Sequence, residues 1–151
     1  RRKHNILVGE STAEKMKISV GCVYPREEET FMDVKGRCLL TGLPKTVTVS
    51  SEEMREAFEE PAEAILESIH AVLERTPPEL VADVSTNGIM MTGGGSLISG
   101  FDKLITARTG IATTVAENAI ACVAEGTGKS LDMISDMPEG TINLSRRRQV
   151  N

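Results

Sequence analysis

The run Ile89-Met90-Met91-Thr92-Gly93-Gly94-Gly95-Ser96-Leu97 constrains the fold more than any other stretch. Ile89 to Met91 is a short apolar segment with the character of a buried strand. Three glycines follow. Ser96 then opens a segment with helical apolar spacing at Leu97, Ile98, Phe101, Leu104 and Ile105, reaching about Arg108. Strand, glycine turn and helix start can make a phosphate or nucleoside site. Glycines let a ligand approach the backbone, and a helix start offers unpaired N–H groups. By itself such a turn is a plain tight turn more often than a ligand site, so the assignment needs further parts of a cleft.

The flanking segments extend the same pattern. Thr76-Pro77-Pro78-Glu79 ends one helix and starts another, with Thr76 as cap and Pro77 at the first helical position. Leu80, Val81 and Val84 give that helix an apolar side, and Ser85 to Gly88 is a turn. Beyond the glycines, Thr109-Gly110 closes a helix and Ile111 to Val115 is a strand. A last helix from about Asn118 is expected to carry Ile120, Val123 and Ala124 to the core and to continue through Leu131, Met133 and Ile134. The order from residue 77 is an α/β layer. Residues 136–151 are polar, contain Pro138 and Gly140, and are expected to be a disordered tail.

Upstream, Arg1 to Ile6 resembles the tail of a helix, with Gly9 at its C′ position. Ser11 or Thr12 can cap a second helix. Glu14 and Lys17 share one face of it, and their spacing alone describes a solvated ion pair. Gly21 and Pro25 close it, and Arg26 to Glu29 is a charged loop. Met32 and Val34 then alternate with Asp33 and Lys35, Cys38-Leu39-Leu40 continues the strand, and Thr41-Gly42-Leu43-Pro44 is a turn. Thr46 to Val49 is the return strand of this hairpin. Ser50 and Glu53 have capping-box spacing, with Ser51 as a competing cap. The long helix that follows carries Met54, Ala57, Phe58, Pro61, Ile65, Ile69, Val72 and Leu73 as an apolar stripe. Pro61 should kink or break it. His70 has no partner nearby in sequence and is a structural residue. Residues 26–75 therefore differ from the α/β body (1–25 and 76–135) and form a small subdomain set into it.

Composition excludes several classes. With 151 residues, 40% hydrophobic and 26% charged, the chain suits one globular domain with an insert. Aromatic content of 3% and a net charge of −5 argue against nucleic acid as a partner. Arg1-Arg2-Lys3 and Arg146-Arg147-Arg148 put basic charge at both ends, as solvated charge or as weak contact with an acidic surface or lipid headgroups. Cys22, Cys38 and Cys122 are odd in number and widely spaced, which fits a reducing cytosol and neither disulfides nor zinc. No apolar run is long enough to span a membrane, and no signal peptide is visible. The chain does not begin with Met, and a fragment of a longer protein is expected. No catalytic set assembles. His4 and His70 lie far apart, and Cys122 is expected to be a buried thiol without a base. Gly128-Lys129-Ser130 lacks the earlier P-loop glycine, because Val123 stands there.

Several separate stretches together resemble the C-terminal part of the MreB family, the rod-shape-determining bacterial actins. They are Arg1 to Asn5, Gly9-Glu10 with Thr12-Ala13-Glu14, Thr41 to Lys45, Ser51 to Ala57, Thr76 to Leu80, Thr92 to Leu97, and Ala121-Cys122-Val123 with Gly126 to Lys129. The resemblance implies an α/β fold, the actin-like (ribonuclease H-like) ATPase second lobe, incomplete and carrying a small α+β insert. It implies ATP as cofactor, with Mg²⁺ in the full-length protein, and self-association into filaments. It further implies work with the cell-wall synthesis machinery at the inner membrane, in a cytoplasmic protein associated with the membrane as filaments. Family membrane contact is attributed to the other lobe. Gly93, Gly94, Gly95 and Ser96 match the adenosine-side glycine loop, and Glu14 and Lys17 match the helix bordering adenine and ribose. Gly126 to Gly128 match a hinge element, and residues 26–75 an outer subdomain that contributes to protofilament contacts. Neither family phosphate loop is present, nor the acidic residue that positions the attacking water. The resemblance thus implies no catalytic or metal-binding residues here, and a chain that does not hydrolyse ATP alone. A structural filament module without useful nucleotide affinity is the alternative. The family's Glu-Asp-Pro-Leu-like run is Glu117-Asn118-Ala119-Ile120 in this chain.

Overall fold

The computed structural model describes residues 1–132. Two small sheets carry the described residues. Strand β1 (Ile6–Leu7) pairs antiparallel with β2 (Phe31–Cys38), which pairs antiparallel with β3 (Pro44–Ser50). Strand β4 (Ile89–Met91) pairs in parallel with β5 (Thr113–Val115), with Ile89 opposite Thr113. Among the described residues five α-helices complete it: α1 (Glu10–Val20), α2 (Ser51–Arg75), α3 (Pro78–Asn87), α4 (Phe101–Thr109) and α5 (Cys122–Asp132).

The chain start differs from the expected helix tail. Ile6 and Leu7 form a strand, and Gly9 is the N-cap of α1 with φ −77° and ψ 162°. No side chain caps α1, so neither Ser11 nor Thr12 has that role. Strand β1 lies over Gly36, where a Cβ would come within 2.5 Å of the Leu7 carbonyl oxygen and 2.8 Å of Ile6 Cγ1. The third strand fits because β2 carries no side chain at that point.

The hairpin and long helix follow the expected pattern more closely. Ser50 caps α2, its hydroxyl accepting from the Glu53 N–H while the Glu53 carboxylate accepts from the Ser50 N–H. The Glu53 carboxyl is held below its ordinary value. Burial opposes that shift, and the Ser50 N–H, His4 and Lys3 outweigh it. Pro61 lies within α2, which is one helix from Ser51 to Arg75 rather than broken there. The buried face is turned from the expected one. Ala62 and Leu66 are buried, whereas Ile65 is 45% and Val72 65% exposed. Leu66 packs with Phe101 and Ile105, and Val23, Ile69, Ile89, Met91 and Leu104 complete this core. Arg108 on α4 also pairs with Glu63 on α2. His70 is exposed.

Three boundaries move. Thr76 ends α2 and Pro77 is the N-cap of α3, one position later than expected. Helix α3 runs on to Asn87 through the expected turn. The helix expected at Ser96 starts only at Phe101. Between them lies a short 3₁₀ turn, Gly94–Leu97, followed by extended backbone at Ile98 and left-handed Gly100 at φ 80°. A parallel bridge between Cys22 and Ser99 draws this segment out of helical geometry.

The last helix departs furthest. Ile120 is 71% and Val123 67% exposed, and α5 buries no residue among those described. Its apolar residues face outward instead of entering the core, and Cys122 is half-buried rather than buried. Met133, Ile134 and the expected tail at 136–151 lie outside the described residues. Among the described residues, no helix is long and apolar enough to cross a membrane.

Candidate functional site

The glycine turn follows β4, whose parallel partner β5 fixes its position. The Gly93 N–H donates to the Ala119 carbonyl at 2.6 Å, and the Ala116 N–H donates to the Met91 carbonyl at 2.9 Å. Gly93 has φ 83° and ψ 164°, backbone that a side chain would strain. Ser96 is buried, and its hydroxyl donates to the Gly93 carbonyl at 2.7 Å. Gly93 and Ser96 thus shape the turn from within.

Gly94 and Gly95 face outward. A Cβ built on either meets no atom within 4 Å, so packing of this chain does not require glycine there. Together with Glu14, Lys17, Ile18, Leu97, Ile98 and Ile120 they line a cavity of about 410 Å³. Helix α1 supplies Glu14 and Lys17 from one face, and their side chains pair at 2.7 Å. Both are substantially exposed, at 56% and 41% of their side-chain area, which makes this a solvent-screened pair.

Four of the six candidate residues, Glu14, Lys17, Gly94 and Gly95, therefore share one cavity wall. The apolar remainder of that wall was not among them. Ile18, Leu97 and Ile120 are 72%, 56% and 71% exposed, and apolar side chains at the mouth of a cleft are the signal that sequence periodicity cannot separate from core. The expected helix-start contribution falls away, because the turn leads into a short 3₁₀ segment. What remains is open glycine backbone beside an acid, a base and apolar side chains.

Among the described residues, no group of three or more His, Cys, Asp or Glu side chains could hold a metal ion. Of the described residues lining the cavity, Glu14 alone is acidic, and it is engaged with Lys17, a donor set that does not suit Mg²⁺.

The sequence profile of the family described as MreB/Mbl protein matches residues 1–139. The chain is 45% identical over 139 residues to the cell shape-determining protein Mbl of Bacillus cereus, covering 92% of this chain and 42% of that protein. It is 43% identical over 142 residues to the cell shape-determining protein MreB of Escherichia coli, covering 94% of this chain and 41% of that protein. MreB5 of Spiroplasma citri, crystallised with AMPPNP, superimposes with a TM-score of 0.86 at 36% identity, over 90% of this chain and 41% of that one. The same protein bound to ADP gives a TM-score of 0.85 at 35% identity. The chain thus spans about 42% of the length of the first of these relatives. Its fold is the actin-like α/β fold in part, and the chain belongs to the MreB/Mbl family of bacterial actins.

Proposed function

We propose that this chain supplies the adenosine side of the nucleotide cleft of an ATP-binding, filament-forming bacterial actin that determines rod shape by organising cell-wall synthesis. One observation carries the reading: Glu14 and Lys17 of α1 and Gly94 and Gly95 of the distant glycine turn line a single cavity of about 410 Å³. Its size and its apolar walls with a few polar groups suit a small ligand. The nucleotides named with the Spiroplasma citri protein, AMPPNP and ADP, add support at the level of the family.

In this reading the Glu14 carboxylate accepts a hydrogen bond from a ribose hydroxyl. Lys17 holds that carboxylate in place, while Ile18, Leu97 and Ile120 cover the base. The glycine backbone lets the nucleoside approach without a side chain intervening. Gly93 and Ser96 keep the turn in shape. Phosphoryl transfer in the parent protein rests on positioning and electrostatics around the γ-phosphate. These residues provide neither, so the 151-residue chain binds nucleotide without turnover. Residues 26–75 form the outer subdomain and contribute filament surface, with 1–25 and 76–135 as the nucleotide-binding part. The protein works in the cytoplasm, in filaments associated with the inner membrane and the cell-wall synthesis machinery.

Isothermal titration of the chain with ADP and ATP tests this. Binding that falls at least about tenfold in Gly94→Asp and in Glu14→Ala is the expected result. No heat with the unmodified chain would establish the alternative, a filament module without useful nucleotide affinity.

A further inference from the structure

The loop from α1 to β2 crosses the start of α4, and the two enclose a cavity of about 390 Å³. Tyr24, Arg26 and Glu27 line it from the loop, and Ser99, Gly100 and Lys103 line it from the other side. Gly100 brings these walls together. Its φ is 80°, and a Cβ there would come within 2.5 Å of Tyr24 Cβ. Among the described residues, none lines both this cavity and the one at the glycine turn.

Arg26 is held in this wall without being neutralised. Its Nη1 donates to Thr30 Oγ1 at 2.8 Å and its Nη2 to the Gly21 carbonyl at 3.1 Å, both uncharged acceptors. Its Nε is buried and has no hydrogen-bond partner among the described residues. Glu27, Glu28 and Glu29 follow it in sequence, yet none of them pairs with it. A guanidinium has about five N–H donors, so its outer nitrogens keep N–H groups for a ligand after these bonds. A half-buried cation without a counter-ion is an arrangement that an anion completes. Lys103 is exposed and likewise forms no ion pair among the described residues.

The backbone adds to the two cations. No side chain caps α4, and the Asp102 and Lys103 N–H groups take no partner among the described residues. The start of this helix thus offers amides and the positive end of its dipole. Asp102 stands in the same turn but does not line the cavity, and Glu27 does. Arg26 and Lys103 against Glu27 leave the cavity positive, in a chain whose net charge is −5. A tetrahedral oxyanion suits this set better than a planar carboxylate, because it can accept from a guanidinium, an ammonium and helix amides at once. The volume also leaves room for an organic part beside Tyr24. We propose that this cavity binds a small phosphomonoester, which fastens the α1–β2 loop to the start of α4. The inference does not rest on the nucleotide reading.

Amide NMR of the full 151-residue chain, titrated at constant ionic strength with glycerol 3-phosphate and with inorganic phosphate, is the test. Saturable shifts of the Gly100, Asp102 and Lys103 amides are expected with both, and acetate should bind at least about tenfold more weakly. Lys103→Glu, at an exposed position, should weaken phosphate binding at least about tenfold, while Glu27→Gln should strengthen it about threefold. Arg26→Gln should weaken it too. That variant also frees Gly21 and Thr30, so the Lys103 and Glu27 variants carry the test if circular dichroism shows its fold altered. Gly94→Asp should leave phosphate binding unchanged. Absence of saturable shifts at the three amides overturns the inference. So does binding that survives Lys103→Glu, or acetate binding equal to that of phosphate. Loss of binding in Gly94→Asp would put the phosphate at the glycine turn and overturn it as well. Binding of inorganic phosphate without the ester would overturn the phosphomonoester.

Discussion

Residues 31–75 and the glycine turn at residues 92–98 are built by different means. The first region is specified by side chains: a strand alternation, a reciprocal cap at Ser50 and Glu53, and Leu66 at 1% exposure. The turn is specified largely by backbone, before α4 returns Phe101 and Ile105 to the side-chain core. It is held by the Gly93 N–H and the Ser96 hydroxyl, while Gly94 and Gly95 stand clear of the rest of the described residues. Side-chain specification concentrates stability. Backbone specification leaves room for a ligand, with Gly94 and Gly95 open and Leu97 exposed beside them.

The contrast breaks most visibly at Leu66. Leu66→Ala should cost about 2–5 kcal/mol in denaturant titration, whereas Ile65→Ala on the same helix should cost under ~1 kcal/mol. Equal losses would mean that the buried face of α2 is assigned wrongly. Gly94→Asp makes the opposite case. It should abolish most nucleotide affinity yet move stability by less than ~0.5 kcal/mol, since nothing lies within 4 Å of the added Cβ. A large fall in its melting temperature would show that the turn is packing after all.

The caps sharpen the comparison further. Ser50→Ala should destabilise by about 1 kcal/mol, while Ser11→Ala and Thr12→Ala at the uncapped start of α1 should have no measurable effect. Helix α2 should also show a pH signature. The folded-state pKa of Glu53 is depressed, so its contribution is present above the unfolded carboxylate value near 4.3 and is lost as pH falls through the folded value. Urea midpoints measured between neutral and acid pH should reveal this loss, and Glu53→Gln should flatten it. The smallest effect belongs to the cavity wall: Lys17→Ala should change stability by less than ~0.5 kcal/mol, because its pair with Glu14 is exposed.

Local signals made the hairpin, the cap on α2 and the strand before the glycines legible in the sequence. Each depends on neighbours a few positions away, and so did the termination of α4 at Gly110. The phase of the α2 stripe was not legible. Apolar residues at 61, 65 and 72 compete with those at 58, 62, 66, 69 and 73, and only the partner helix α4 decides between them. Helix α5 misled for the related reason that apolar spacing reports a face without reporting what covers it. The break before Phe101 depends on a bridge from Ser99 to Cys22, a contact between distant segments. Within the site, Glu14 and Lys17 could be joined to the glycines only through the family resemblance, since spacing alone described a common ion pair.

Gly36 has a consequence for the order in which this chain assembles. The β2–β3 hairpin closes between near neighbours and needs nothing from elsewhere, so it can form early. Strand β1 has no such partner beside it in sequence. It has to arrive across α1 and lie on bare backbone at residue 36, where any side chain would meet Ile6 and Leu7. A substitution there would spare the hairpin and cast off the beginning of the chain, separating two steps that the native protein completes as one.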